Sequence, residues 1–199
     1  MRKGNHNKML SKIAERLTRH LLRCNIINEE DKDIYIYGLE LLVSFIFSVS
    51  IIILLGVLLN SIFETIIFLM VFILLRGFSG GFHARTYWMC SFVTFLTYGI
   101  SLLFSKLIFI HLIGYMILFV IGVIIMIIFS PIDHPNKALS QKQKKKFKSL
   151  SVIVFVVFIS AGIFMRDTSV GSVIFFTLVS DIVLLFIKNK KGGISNGIF

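Results

Sequence analysis

Two stretches of this chain leave water no foothold. Leu41–Leu59 runs 19 residues without a charged side chain, and Leu107–Ser130 runs 24 residues with a single histidine. About 20 helical residues span the ~30 Å hydrocarbon layer of a bilayer. Backbone amides at that depth find no water, so each such run must close its hydrogen bonds within a helix. Four shorter apolar segments accompany them: Ile62–Leu75, Ser91–Ser105, Ser149–Met165 and Thr168–Ile187. The fold class that follows is an all-α polytopic membrane protein. It has about six transmembrane or partly re-entrant helices, the second and third segments being short enough to tilt or re-enter.

Length and composition agree. Six crossings consume about 120 residues, which leaves too little of a 199-residue chain for a second soluble domain. Apolar residues make up 56% and charged residues 16%, against about 45–50% and 25% in soluble domains. Disordered, collagen-like and ordinary cytosolic classes are excluded. Two cysteines, Cys24 and Cys90, do not make a disulfide framework. The first 33 residues are polar, and no short apolar run with a small-residue cleavage site follows, so no removable secretory leader is expected.

The organisation reads as three parts. Residues 1–33 form a basic cytoplasmic or interfacial region. Within it Leu10, Ile13, Leu17, Leu21 and Cys24 recur at helical spacing, predicting an amphipathic helix. Such a helix suits either an anionic lipid surface or the protein's own spans. Residues 34–187 form a single membrane domain, and 188–199 a cytoplasmic tail. With the amino terminus inside and all six segments crossing, 19 of the 21 Lys and Arg residues face the cytoplasm; only Lys106 and Arg166 do not. This asymmetry explains the net charge of +11. It places the basic residues in blocks between spans, so membrane lipid is an expected partner and nucleic acid is not.

One segment, 76–90, is unlike the rest. Arg76, Gly77, Gly80, Gly81, His83, Arg85 and Cys90 gather at a membrane boundary. Irregular backbone at that depth is tolerated only when buried in protein or lining a wet cavity. A cysteine and a histidine form a workable nucleophile and base. Seven residues on a straight helix would set His83 and Cys90 ~10.5 Å apart, whereas proton transfer needs ~3–4 Å. The dyad therefore requires a bend between them. A cysteine at the start of a span and an interfacial histidine are also ordinary structural residues, and both readings stand on spacing alone. A metal is not expected. There is no HExxH or CxxC, and His111 and His134 sit in different loops.

The arrangement Arg76…Gly81-Phe82-His83…Cys90 resembles the signature of the accessory gene regulator B (AgrB) family. These are membrane cysteine endopeptidases of Gram-positive quorum sensing. A second stretch, Ser130-Pro131-Ile132-Asp133-His134-Pro135-Asn136-Lys137 ahead of a lysine run, is similar to the Pro-x-Asp-x-x-Asn-Lys pattern of that family's central cytoplasmic loop, here 131–148. Ala138 stands where a proline is usual. The resemblance implies that Cys90 is the nucleophile and His83 its base, acting on an AgrD-like precursor peptide. A thioester forms on Cys90, and an internal nucleophile of the precursor then closes a thiolactone or lactone ring. It also implies that Arg76 matters, either for acidic groups of the precursor or for a developing oxyanion, and that Gly81 serves backbone geometry. No cofactor is implied. Asp133, Asn136 and Asp181 are candidates for supporting or orienting roles, Asp181 because a carboxylate within a span is costly and often functional. A homodimer is a further expectation. The competing reading is a small transporter whose working groups are Glu64 and Asp181.

Overall fold

The computed structural model describes residues 8–24, 26–79, 87–130 and 140–195, without the side chains of 8–11, 87–90 and 187–195. Every regular element in them is helical. The order is α1 (Lys8–Arg23), a 3-10 turn (Glu29–Asp31), α2 (Lys32–Leu58), α3 (Ile62–Ser79), α4 (Tyr87–Leu107), α5 (Leu112–Phe129), α6 (Gln141–Phe164) and α7 (Ser169–Ser195). Five of these are long and apolar enough to cross a membrane: α2, α3, α5, α6 and α7. Ser91–Leu107 of α4 is a shorter apolar helix. The all-α membrane class read from the sequence is the class observed.

Helix ends extend past the apolar runs. The second apolar segment stops at Leu75, but α3 continues to Ser79. Arg76 does not break it, because its guanidinium lies 5.1 Å from the centre of the Phe72 ring one turn back. The fifth segment begins at Ser149, but α6 begins at Gln141. Ser140 caps it by accepting a hydrogen bond from the Gln143 amide, and the Gln143 side chain returns one to the Ser140 amide. This capping box turns the lysine-rich stretch 142–148 into the opening turns of a helix.

The chain divides into two compact units, Met1–Leu54 with Ala84–Phe95, and Leu55–His83 with Leu96–Phe199. In the first, α1 is helical as its spacing predicts, but among its described side chains Ala14 and Thr18 are the fully buried ones. The Thr18 hydroxyl donates to the Ala14 carbonyl at 2.9 Å. Ile13 and Leu17, central to the predicted stripe, stay exposed together with Lys12, Arg16 and Arg19. In the same unit α2 and α4 are tied by Ser48 and Ser91, whose hydroxyls are 2.7 Å apart.

The second unit is built around α7, of whose span 61% is buried inside the protein. It packs on α3, α6 and α5. Val71, Tyr115, Phe155, Ile159 and Leu178 lie in the shared core. Small residues let the helices close up, as is usual where lipid supplies no hydrophobic drive. A Cβ at Gly122 of α5 would strike the Phe155 ring of α6, and one at Gly162 would press on Tyr115 and Ile174. Gly171 faces the Met165 carbonyl oxygen across the α6–α7 turn and leaves no room for a side chain. Several polar groups of this unit pair with one another. Thr65 bonds Tyr98 at 2.8 Å, Ser130 bonds Ser151 at 2.7 Å, Lys106 donates to Ser61 at 2.8 Å, and Ser169 donates to Glu64 at 2.7 Å.

Candidate active site

Four of the residues singled out from sequence, Gly81, His83, Asp133 and Asn136, lie outside the described residues. The structure does place the backbone of Cys90 and the whole of Arg76 and Asp181.

Cys90 is the fourth residue of α4, in its opening turn. The first amides of a helix lack intrahelical acceptors and sum to a partial positive charge. A thiolate is favoured there, and no acidic residue occupies that turn to oppose it. The chain's other cysteine, Cys24, follows the last residue of α1, at the opposite pole of a helix. Its exposed sulfur is 3.9 Å from His20 Nε2. Two cysteines thus have a histidine nearby in sequence, and only Cys90 has the helix pole that suits an anion.

The turn that carries Cys90 is anchored through the next residue. Ser91 meets Ser48 of α2, and Ser48 also donates to the Ser44 carbonyl at 2.9 Å. Eight residues before Ser48, on the same face of α2, Glu40 is only 1% exposed. Glu40 stands immediately ahead of the first apolar run. Its spacing from Ser44 and Ser48 was the available signal that it faces protein.

In the other unit, Arg76 occupies the last turn of α3, over Phe72. Asp181 lies on α7 and is 7% exposed. The two residues were separate candidates in the sequence; they stand on α3 and α7, which pack on each other. Glu64, by contrast, sits at the far end of α3 and takes the Ser169 hydroxyl. Among the described residues no three His, Cys, Asp or Glu side chains gather as a metal site would require.

The profile of the accessory gene regulator B family matches residues 10–187. The chain belongs to the AgrB family. Two AgrB-like proteins of Clostridium perfringens are similar to it. That of strain 13 / Type A is 32% identical over 74% of this chain and 72% of its own length. That of strain SM101 / Type A is 33% identical over the same shares. No solved structure matches the chain. An AgrB-family membrane protein belongs to the agr quorum-sensing system, a setting of peptide processing that implies an AgrD-like precursor as partner. The family match spans the opening turn of α4 and both Arg76 and Asp181.

Proposed function

We propose that this AgrB-family protein is a membrane cysteine endopeptidase that removes the carboxyl-terminal tail of an AgrD-like precursor and promotes its cyclisation. The observation that carries the reading is the placement of Cys90 in the opening turn of α4, beside the Ser48–Ser91 tie.

The chemistry runs in two halves. The Cys90 thiol gives its proton to His83, and the thiolate attacks a precursor backbone carbonyl. The carbon–nitrogen bond breaks, His83 returns the proton to the leaving amine, and the tail departs. The shortened precursor remains as a thioester on Cys90. A thiol or hydroxyl within the precursor then attacks that carbonyl and expels the Cys90 thiolate, closing the ring. Exchange of one thioester for another is nearly balanced in energy, so the first half carries the barrier. Water competes with ring closure, and a site at a membrane boundary limits it. Arg76 supports the step by meeting acidic precursor groups or the developing oxyanion. In this reading both termini, the catalytic segment and the lysine-rich 131–148 region face the cytoplasm, as the distribution of basic residues favours.

The test is intact-mass spectrometry of the protein in membranes mixed with a candidate AgrD-like precursor. The wild type gains a mass equal to the precursor minus its tail. Cys90→Ala gains none, and His83→Ala gains it about 100-fold or more slowly, the scale of a lost general base. Tail release that persists in Cys90→Ala overturns the reading.

A further inference from the structure

Helix α1 has three faces, and one of them is used inside the protein. Ala14 and Thr18 are fully buried on it, with Leu21 and Leu22 half-buried beside them. Ile13 and Leu17, one turn apart, stay 39% and 43% exposed. His20 and Cys24 continue that row at helical spacing, both exposed, with Cys24 Sγ 3.9 Å from His20 Nε2. Lys12, Arg16, Arg19 and Arg23 repeat the same spacing one residue earlier, so they form an exposed basic row beside the apolar one. Glu15 is the one acidic residue of the helix.

The two exposed rows together fit one kind of surface. Long basic side chains reach acidic headgroups while an adjoining apolar row enters the edge of the acyl layer. The position of α1 agrees. At the opening of α2, Tyr35 and Tyr37 are exposed just ahead of the charge-free run Leu41–Leu59. Tyrosines at the end of a span mark the headgroup level. Residues 24–31 join that level to α1. This tether makes contact with the lipid surface intramolecular, so two apolar anchors suffice where a free helix would need more.

We propose that α1 lies along an anionic phospholipid surface, with Ile13 and Leu17 at the acyl boundary and Lys12, Arg16, Arg19 and Arg23 on the headgroups. The sequence offers lipid and protein as alternative neighbours of this helix; the structure gives each its own face, Ala14 and Thr18 taking the protein. The inference does not rest on the peptidase reading. Glu29, Glu30, Asp31 and Asp33 lie beyond α1, where Lys32 pairs with Glu29 at 3.5 Å. On a second copy these acids are the rival occupant of the basic row, and the test separates the two.

The full chain is used, with a single fluorescent reporter. Trp88 is the only tryptophan. Trp88→Phe removes it, and Leu17→Trp places the reporter in the apolar row without touching the core. The protein is reconstituted in vesicles of phosphatidylcholine alone and of phosphatidylcholine with phosphatidylglycerol, each with and without lipid brominated on its acyl chains. In the mixed vesicles the emission is expected to shift to the blue and to lose intensity to the brominated lipid. Both effects should weaken in phosphatidylcholine alone. They should also weaken when Lys12, Arg16 and Arg19 are changed to Gln, and in 1 M salt, where the Debye length falls to ~3 Å. If the Gln variant does not fold, the salt series on the parent makes the same comparison. If Trp88→Phe does not fold, Trp88 is kept and its spectrum subtracted. Emission of a water-exposed indole in the mixed vesicles overturns the proposal. So does a blue shift without quenching, which means that protein, such as a second copy, covers the row. Quenching that is equal in both lipids and indifferent to salt and to the Gln changes also overturns it, because the basic row then has no part.

Discussion

Helices α2 and α7 are both 27 residues long, yet they are used in opposite ways. The span containing α2 is the more hydrophobic, and 17% of it is buried in the protein; α7 is less hydrophobic, and 61% of its span is buried. In a soluble protein the order would be reversed. Lipid tails are as apolar as leucine, so hydrophobicity gives a helix no reason to leave them. Polar and small groups do have a reason. α7 carries Gly171, Ser172, Thr177, Ser180 and Asp181, and these draw it inward. α2 turns Phe45, Phe47, Leu54 and Val57 outward and keeps Glu40 and Ser48 buried. On these two helices the buried polar residues, Glu40 and Ser48 of α2 and Ser172, Thr177 and Asp181 of α7, lie on the protein-facing side.

That contrast can be broken or sharpened by substitution, with unfolding followed in mixed detergent micelles. The largest effect belongs to the core around α7. Leu178→Ala opens a cavity at a fully buried site and is expected to cost about 2–5 kcal/mol. Gly122→Leu drives a side chain into the Phe155 ring, with an expected cost of about 1–3 kcal/mol. Thr65→Val removes the bond to Tyr98 and is expected to cost about 0.6 kcal/mol, the average for hydrogen bonds between membrane helices. Leu54→Ala on α2, at a residue 58% exposed, is expected to change stability by less than about 0.5 kcal/mol. A Leu54→Ala loss as large as that of Leu178→Ala would mean that α2 is covered by protein where it now faces outward.

Helix number and class were legible because apolar run length measures bilayer thickness directly. Helix ends were not, since hydropathy falls at Arg76 and at the lysine run while the helices continue. Phe72 under Arg76 and the Ser140–Gln143 box supply the local reasons, and the box was readable as a Ser-x-x-Gln pattern. The predicted stripe of α1 picked the largest apolar residues, whereas packing chose the small Ala14 and Thr18, which allow close approach. At the site, Arg76 and Asp181 each stood out in sequence, one in a glycine-rich boundary and one within a span. The packing of α3 on α7 did not, because it depends on how the side chains of two helix faces fit each other. Cys90 and His83 were singled out by residue type and family resemblance; His83 lies outside the described residues, and for Cys90 the helix start at Tyr87 adds a position near a helix N-terminus.

The opening of α6 runs against its own electrostatics. Five lysines lie within 142–148, at the pole where a helix favours negative charge, and several stand one turn from a like charge. Each mismatch costs a few tenths of a kcal/mol or more, and the capping box returns about 1 kcal/mol. These turns are therefore the part of α6 that melts first. Amide protons of Lys144 to Lys148 should exchange with solvent well before those near Phe155 and Ile159, and an acidic ligand settling on the lysines would slow that exchange by restoring the missing negative charge.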